Sequence, residues 1–220
     1  MKKILIVTYY WPPKTGVGVL RWFYFSNILP TYGYEPIIYT PLTSDKNSLD
    51  KSLINENIKV IRKSIFDPSA IFSKITGSNI NQGAIDNQNN LFDKFYKWVR
   101  GKFFVPDSRI FWVNKSVNFL KLFLKKNSIK TIITTGPPHS MHLIGYNLKK
   151  LQNINWIADF RDPWSNWDIL KEINPSLSSM LKHKKLESMV INLADKIIVT
   201  NKNLAKEYSK IIDKKKIETI

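Results

Sequence analysis

The sequence predicts an α/β fold built on a mostly parallel, doubly wound sheet with helices on both faces. Three observations predict it. Apolar runs of strand length alternate with helical patterns, which is the signature of βαβ units. Two of those runs stop in polar clusters, Gly136-Pro137-Pro138-His139-Ser140 and Asp159-Phe160-Arg161-Asp162-Pro163-Trp164, and strand C-termini are where such sheets open a ligand crevice. The chain is 220 residues long, 43% hydrophobic and 13% aromatic, enough for one core, since a chain of this size buries about 70% of its unfolded surface.

The elements follow in order. Strand one is about Lys3 to Thr8, and the loop Tyr9 to Gly18 carries the prolines and glycines that stop it. A helix from about Val19 to Tyr32 ends near Gly33, strand two is Pro36 to Thr40, and strand three is about Ile58 to Arg62. An insertion at about 64–127 comes next. It holds a short helix near Pro68 to Ile75, an Asn-rich loop from Thr76 to Asn90, and helices at Leu91 to Lys102 and Phe111 to Lys126. Strand four is Thr131 to Thr134, strand five Trp156 to Phe160 and strand six Lys196 to Thr200. Helices are expected at Ser140 to Leu151, Pro175 to Leu193 and Asn203 to Ile211, and Lys216 to Ile220 reads as the start of another strand. That last strand suggests that residues 1–220 are one domain of a larger protein.

Composition narrows the function. With no cysteine there is no disulfide framework and no thiolate metal site, and no His/Asp/Glu spacing resembles a metal set. The net charge is +17, yet only Arg21, Arg62, Arg100, Arg109 and Arg161 are arginines. Arginine is the preferred reader of phosphate and base edges, so a lysine-heavy balance argues against a nucleic-acid partner. A positive surface would still draw anionic lipid or phosphorylated ligands. Ile4-Leu5-Ile6-Val7 is too short for a secretory h-region, and no apolar run reaches membrane-span length. The expected location is cytoplasmic, with peripheral contact to the inner face of the membrane an option.

Several side chains bear on a site. Gly16 and Gly18 precede a helix whose free N–H groups and dipole favour an anion, although neither the dinucleotide fingerprint nor a P-loop is present. His139 starts a helix, where the dipole favours its neutral form and suits hydrogen bonding, or it is an exposed turn residue. His142 is expected to face a neighbouring element, and His183, in a Lys-rich helix, the surface. Asp159, Arg161 and Asp162 are either one wall of a site or a buried ion-pair knot that holds Trp164. From Phe92 to Phe104 aromatic and basic residues alternate helically, as in an interfacial helix or an ordinary core helix.

Taken together, these residues resemble the N-terminal domain of GT-B glycosyltransferases, specifically the retaining, sugar-nucleotide-dependent family 4. The likeness rests on Pro12, Pro13, Gly16, Gly18 and Arg21, on Phe104-Val105-Pro106-Asp107 followed by Trp112, on GPPHS and DFRDPW, and on Ile198-Val199-Thr200. GPPHS with DFRDPW points to a bacterial subgroup linked to surface-polysaccharide assembly. The resemblance implies two facing Rossmann-like domains, the N-terminal one receiving a glycan or lipid-linked acceptor. A C-terminal domain, not contained in these residues, would grip the nucleotide-sugar, which serves as co-substrate without a metal or other cofactor. His139 and Asp162 would then orient the acceptor, and Arg161, where the family places a histidine, would face phosphate or acceptor. Gly16 and Gly18 would leave room for the donor diphosphate. Arg21, Ser140, Asp159 and Trp164 complete the candidate substrate-binding set. The competing readings are a non-catalytic Rossmann-like nucleotide-binding module and, behind it, a basic nucleic-acid-binding domain.

Overall fold

The computed structural model describes residues 1–14, 16–42, 55, 57–66, 104–168, 170 and 175–220. The helices expected near Pro68 to Ile75 and Leu91 to Lys102, the Asn-rich loop, and all of the Phe92–Phe104 stretch except Phe104 lie outside them. Seven strands form one sheet: β1 (Lys2–Val7), β2 (Tyr34–Pro41), β3 (Lys59–Lys63), β4 (Thr131–Gly136), β5 (Asn155–Phe160), β6 (Lys196–Val199) and β7 (Ile217–Thr219). Every pairing is parallel and the order is β3-β2-β1-β4-β5-β6-β7. This is a Rossmann-like, doubly wound sheet, and the strand order reverses between β1 and β4. At that switch point the loops after β1 and β4 diverge and leave a crevice.

The connecting helices are α1 (Val17–Ile28), α2 (Ile110–Lys126), α3 (Ser140–Leu151), α4 (Leu177–Leu193) and α5 (Lys202–Tyr208). The sequence predicts one helix from Val19 to Tyr32, whereas the α-helix stops at Ile28 and Leu29–Tyr32 tightens into a 3-10 turn. Pro30 accounts for the break, because it has no N–H to continue the α-helical ladder. Gly16 caps α1 with φ 111°, a left-handed conformation that favours glycine.

Strand alternation sorts the core onto two faces. Leu5, Val7, Ile37, Tyr39, Ile132, Trp156, Phe160 and Val199 point towards α2, α3, α4 and α5. Ile4, Ile6, Ile38 and Ile133 point the other way, against Val19, Trp22 and Phe23 of α1 and Trp11 of the preceding loop. The near-unbroken apolar strands are what burial on both faces demands of a parallel sheet. Helix α2 falls inside the segment predicted as an insertion, yet it packs straight onto the sheet: Trp112 stacks on Tyr39 at 5.0 Å, and the Tyr39 hydroxyl donates to Ser116 at 3.1 Å. Gly145 of α3 leaves space for the Trp156 indole, which a Cβ there would meet at 2.3 Å.

On the α1 side one carboxylate locks helix to sheet. Asp159 is fully buried and accepts from Trp22 Nε1 at 2.7 Å, Thr135 Oγ1 at 2.8 Å and Arg21 at 3.2 Å. Three donors, one of them the cation Arg21, compensate the loss of water around this buried charge. Asp159→Ala would strand the Trp22 N–H and the Arg21 guanidinium. It should lower unfolding stability by about 3–5 kcal/mol, read as a shift in the urea midpoint. A variant as stable as the parent would mean that α1 is held by its apolar face alone.

Candidate functional site

Three segments meet at the C-terminal edge of the sheet: the β1–α1 loop, the turn from β4 into α3, and the chain leaving β5. Arg161 joins them. Its Nε donates to the Gly136 carbonyl at 3.3 Å, one terminal nitrogen to the Gly18 carbonyl at 3.2 Å, and the other to the Pro137 carbonyl. The guanidinium also lies over the Tyr10 ring, 5.7 Å from its centre. A Cβ on Gly18 would sit 2.8 Å from Arg161 and 3.1 Å from Tyr10. The glycine at 18 therefore lets Arg161 reach across, whereas Gly16 has open space around its Cα and is where a ligand has room.

Burial lowers the Arg161 pKa, and Asp159, Tyr10 and Asp162 oppose that shift. Among the described residues its hydrogen-bond acceptors are carbonyls. The carboxyl of Asp162 is half-buried, and that burial raises its pKa against the pull of Arg161. Among the described residues no hydrogen bond engages this carboxylate, which leaves it available at the crevice.

The candidate residues divide into two groups. Gly16, Gly18, Arg161, Asp162, His139 and Trp164 gather at this edge. Asp159 and Arg21 lie beneath it as the α1 anchor, so the knot anticipated among Asp159, Arg161 and Asp162 forms instead between Asp159 and Arg21. Ser140 is also committed elsewhere: its N–H and hydroxyl both donate to Asp107, at 2.9 and 2.8 Å. Asp107, far away in sequence, thus occupies the positive end of α3 that an anionic ligand would otherwise take.

His139 sits behind the crevice surface, 4% exposed, stacked on Trp164 at 4.9 Å with Trp167 edge-on at 5.9 Å. Neither ring nitrogen reaches good hydrogen-bond geometry, and the nearby Pro163 carbonyl only weakly favours the charged form. Its pKa lies well below the ordinary value, chiefly through burial and secondarily through His142, His183 and Arg161. Burial, rather than the helix dipole invoked from sequence, keeps it neutral. His142 stacks on Phe160 at 4.3 Å, and its Nδ1 lies 2.9 Å from the Thr134 hydroxyl. The same hydroxyl accepts from Trp156 Nε1 at 2.9 Å, and burial, with Arg161 nearby, lowers the His142 pKa to about 3 and keeps the imidazole neutral.

The expectation that His183 is on the surface is wrong. It is 3% exposed and its Nδ1 accepts from Trp164 Nε1 at 3.1 Å. Glu187, one turn on, accepts from the backbone N–H groups of Trp164 and Ser165 and from the Tyr208 hydroxyl. The spacing His183, Glu187, Val190, Ile191 is a buried helical stripe, a signal that the surrounding lysines obscure. Among the described residues no His/Asp/Glu group is placed to hold a metal, and no helix is long and apolar enough to cross a membrane.

No protein-family model matches this chain. No curated protein matches it either. Among solved structures, the chain in full aligns with 42% of a glycosyltransferase from Rickettsia africae ESF-5, at 19% identity and a TM-score of 0.47. It also aligns in full with 45% of the lipopolysaccharide outer core galactosyltransferase WaaB, apo form, at 14% identity and a TM-score of 0.49. The chain thus spans less than half the length of either, and likenesses this distant assign no function.

The buried histidines set a pH dependence. His142 is pushed to about 3, His183 to about 4, and His139 also downward. The unfolded chain takes up protons near pH 6.5 while the folded one does not, so these groups cost nothing above that value and destabilise as pH falls below it. Each should remove about 1.4 kcal/mol per pH unit between roughly pH 6 and 4. Urea unfolding at stepped pH should show this slope, and His142→Phe should reduce it by one proton. A parent protein with flat stability over that range would contradict the neutral-histidine assignment.

Proposed function

We propose that this chain is the acceptor-side domain of a two-domain glycosyltransferase, one that moves a sugar from a nucleotide-sugar to a glycan or lipid-linked acceptor. The observation that carries the reading is the convergence of the glycine loop, GPPHS and DFRDPW on one switch-point crevice, with Arg161 bonded to the first two. Those same three motifs carry the resemblance to retaining family 4 enzymes. In this reading the donor diphosphate approaches the backbone at Gly16, and a second domain holds the nucleotide.

In retaining transfer the bond from the sugar anomeric carbon to the phosphate oxygen breaks, and a bond to the acceptor hydroxyl oxygen forms on the same face. The leaving phosphate oxygen takes the hydroxyl proton. The domain's task is then to place the acceptor. Asp162, with an unengaged carboxylate made more basic by burial, accepts the hydrogen bond that orients the reacting hydroxyl. Arg161 keeps the three loop segments in register. His139, sealed behind Trp164, shapes the wall.

Transfer of labelled sugar into a lipid or glycan fraction, assayed with the longer protein that carries this domain, tests the idea. Asp162→Asn should lower kcat about a hundredfold or more and leave donor KM nearly unchanged. The 220-residue chain by itself should transfer nothing and bind sugar nucleotides weakly. Tight, sugar-specific binding to that chain, or no transfer from any common sugar nucleotide by the longer protein, would overturn the reading.

A further inference from the structure

Arg62 is a partly buried cation with no counter-ion among the described residues. It lies near the C-terminal end of β3, opposite Thr40 of β2, and donates to the Pro12 carbonyl at 2.5 Å. Among the described residues no carboxylate pairs with it, and burial pushes its pKa down. Among the described residues its other N–H groups meet no acceptor, and none is a buried unpartnered atom, so they lie open to solvent. A guanidinium presents five donors in a planar fork. Arg62 spends one of them on the loop, and the rest are open at the edge of the crevice.

A guanidinium that spends one donor on a carbonyl and turns the others to solvent at the crevice edge is placed to meet an anion there. A phosphate-type oxyanion meets the fork two oxygens at a time. We propose that Arg62 and the Pro12 segment of the β1–α1 loop form a binding subsite for a phosphate or diphosphate group on the acceptor. This rests on the acceptor-side reading above. Position selects the acceptor over the donor: β3 lies two strand steps from β1, about 10 Å at the usual spacing, and therefore off the switch point where the donor approaches Gly16. Lys63, beside Arg62, is turned to the opposite sheet face, 4.2 Å over the Phe119 ring, and takes no part.

Calorimetry on the 220-residue protein with inorganic pyrophosphate, geranyl diphosphate and uridine diphosphate tests the proposal. Arg62→Gln should weaken pyrophosphate and geranyl diphosphate about ten- to a hundredfold, and Arg62→Lys should recover part of that loss. Uridine diphosphate, whose diphosphate can enter the same subsite, should be weakened no more than pyrophosphate by either change. In the parent, the Arg62 Nε–H resonance should shift on adding pyrophosphate, a readout that survives if Arg62→Gln folds poorly. The proposal falls if pyrophosphate leaves that resonance unmoved, or if Arg62→Gln binds pyrophosphate like the parent. It also falls if uridine diphosphate alone loses affinity, which would make Arg62 a donor contact. An absence of sugar transfer by the longer protein, with Arg62-dependent pyrophosphate binding intact, would remove the glycosyltransferase reading and keep the anion site.

Discussion

The crevice depends on a carboxylate that never reaches it. Asp159 is buried at the interface of β5, β4 and α1, and its bonds to Trp22, Thr135 and Arg21 fix how α1 lies on the sheet. Everything above inherits that placement. The first turn of α1 brings the Gly18 carbonyl to Arg161, and the loop before it brings Tyr10 beneath the same guanidinium. Two residues of one segment thus divide the work: Asp159 anchors the helix from below, and Arg161 ties its beginning to the turn after β4. Charge is used here to set geometry, and a dry apolar contact would not specify the helix position as narrowly.

The wall behind the crevice works by the opposite logic. His139, His142 and His183 are all buried and all held neutral, so they add aromatic shape to the region and no charge. Trp164 is its keystone. Its ring stacks on His139, its N–H donates to His183, and its backbone N–H donates to Glu187. A loop leaving a strand would ordinarily be mobile, but this one is bolted to α4 through Glu187, which also accepts from Tyr208 of α5. Rigid walls of this kind favour precise positioning of a ligand, because little ordering remains to be done on binding.

The fold was legible because its signals are local. β1, β5 and β6 are short apolar runs, and α3 spans Ser140–Leu151 in the structure as the pattern predicts. The chemistry at the ends of β4 and β5 was legible for the same reason: polar side chains stand where apolar ones should continue. Partnership was not legible. Nothing near Ser140 in sequence announces Asp107, and nothing near Asp159 announces Trp22, since both contacts close over long chain separations. His183 went astray through reliance on composition over spacing, as its lysine neighbours are exposed while its own i, i+4, i+7 stripe is inward. Arg62 drew no notice for a related reason: an arginine at a strand end is unremarkable until the pairings show that no carboxylate among the described residues meets it.

That last point changes how the positive charge is to be read. The lysines are spread widely, in keeping with solvated positions, and net charge by itself says little about partners. The described arginines are not spread: Arg62, Arg109 and Arg161 each hold part of the loop after β1, at Pro12, Tyr9 and Gly18, while Arg21 sits one turn into the helix that follows. Guanidinium suits this task because its planar fork can bind a carbonyl and still present donors outward, which an ammonium on a flexible stem does less well. The loop is thereby held by cations rather than by apolar packing alone. The donors these arginines leave outward are what the proposed anionic group would meet, and the lysines elsewhere would add only long-range attraction.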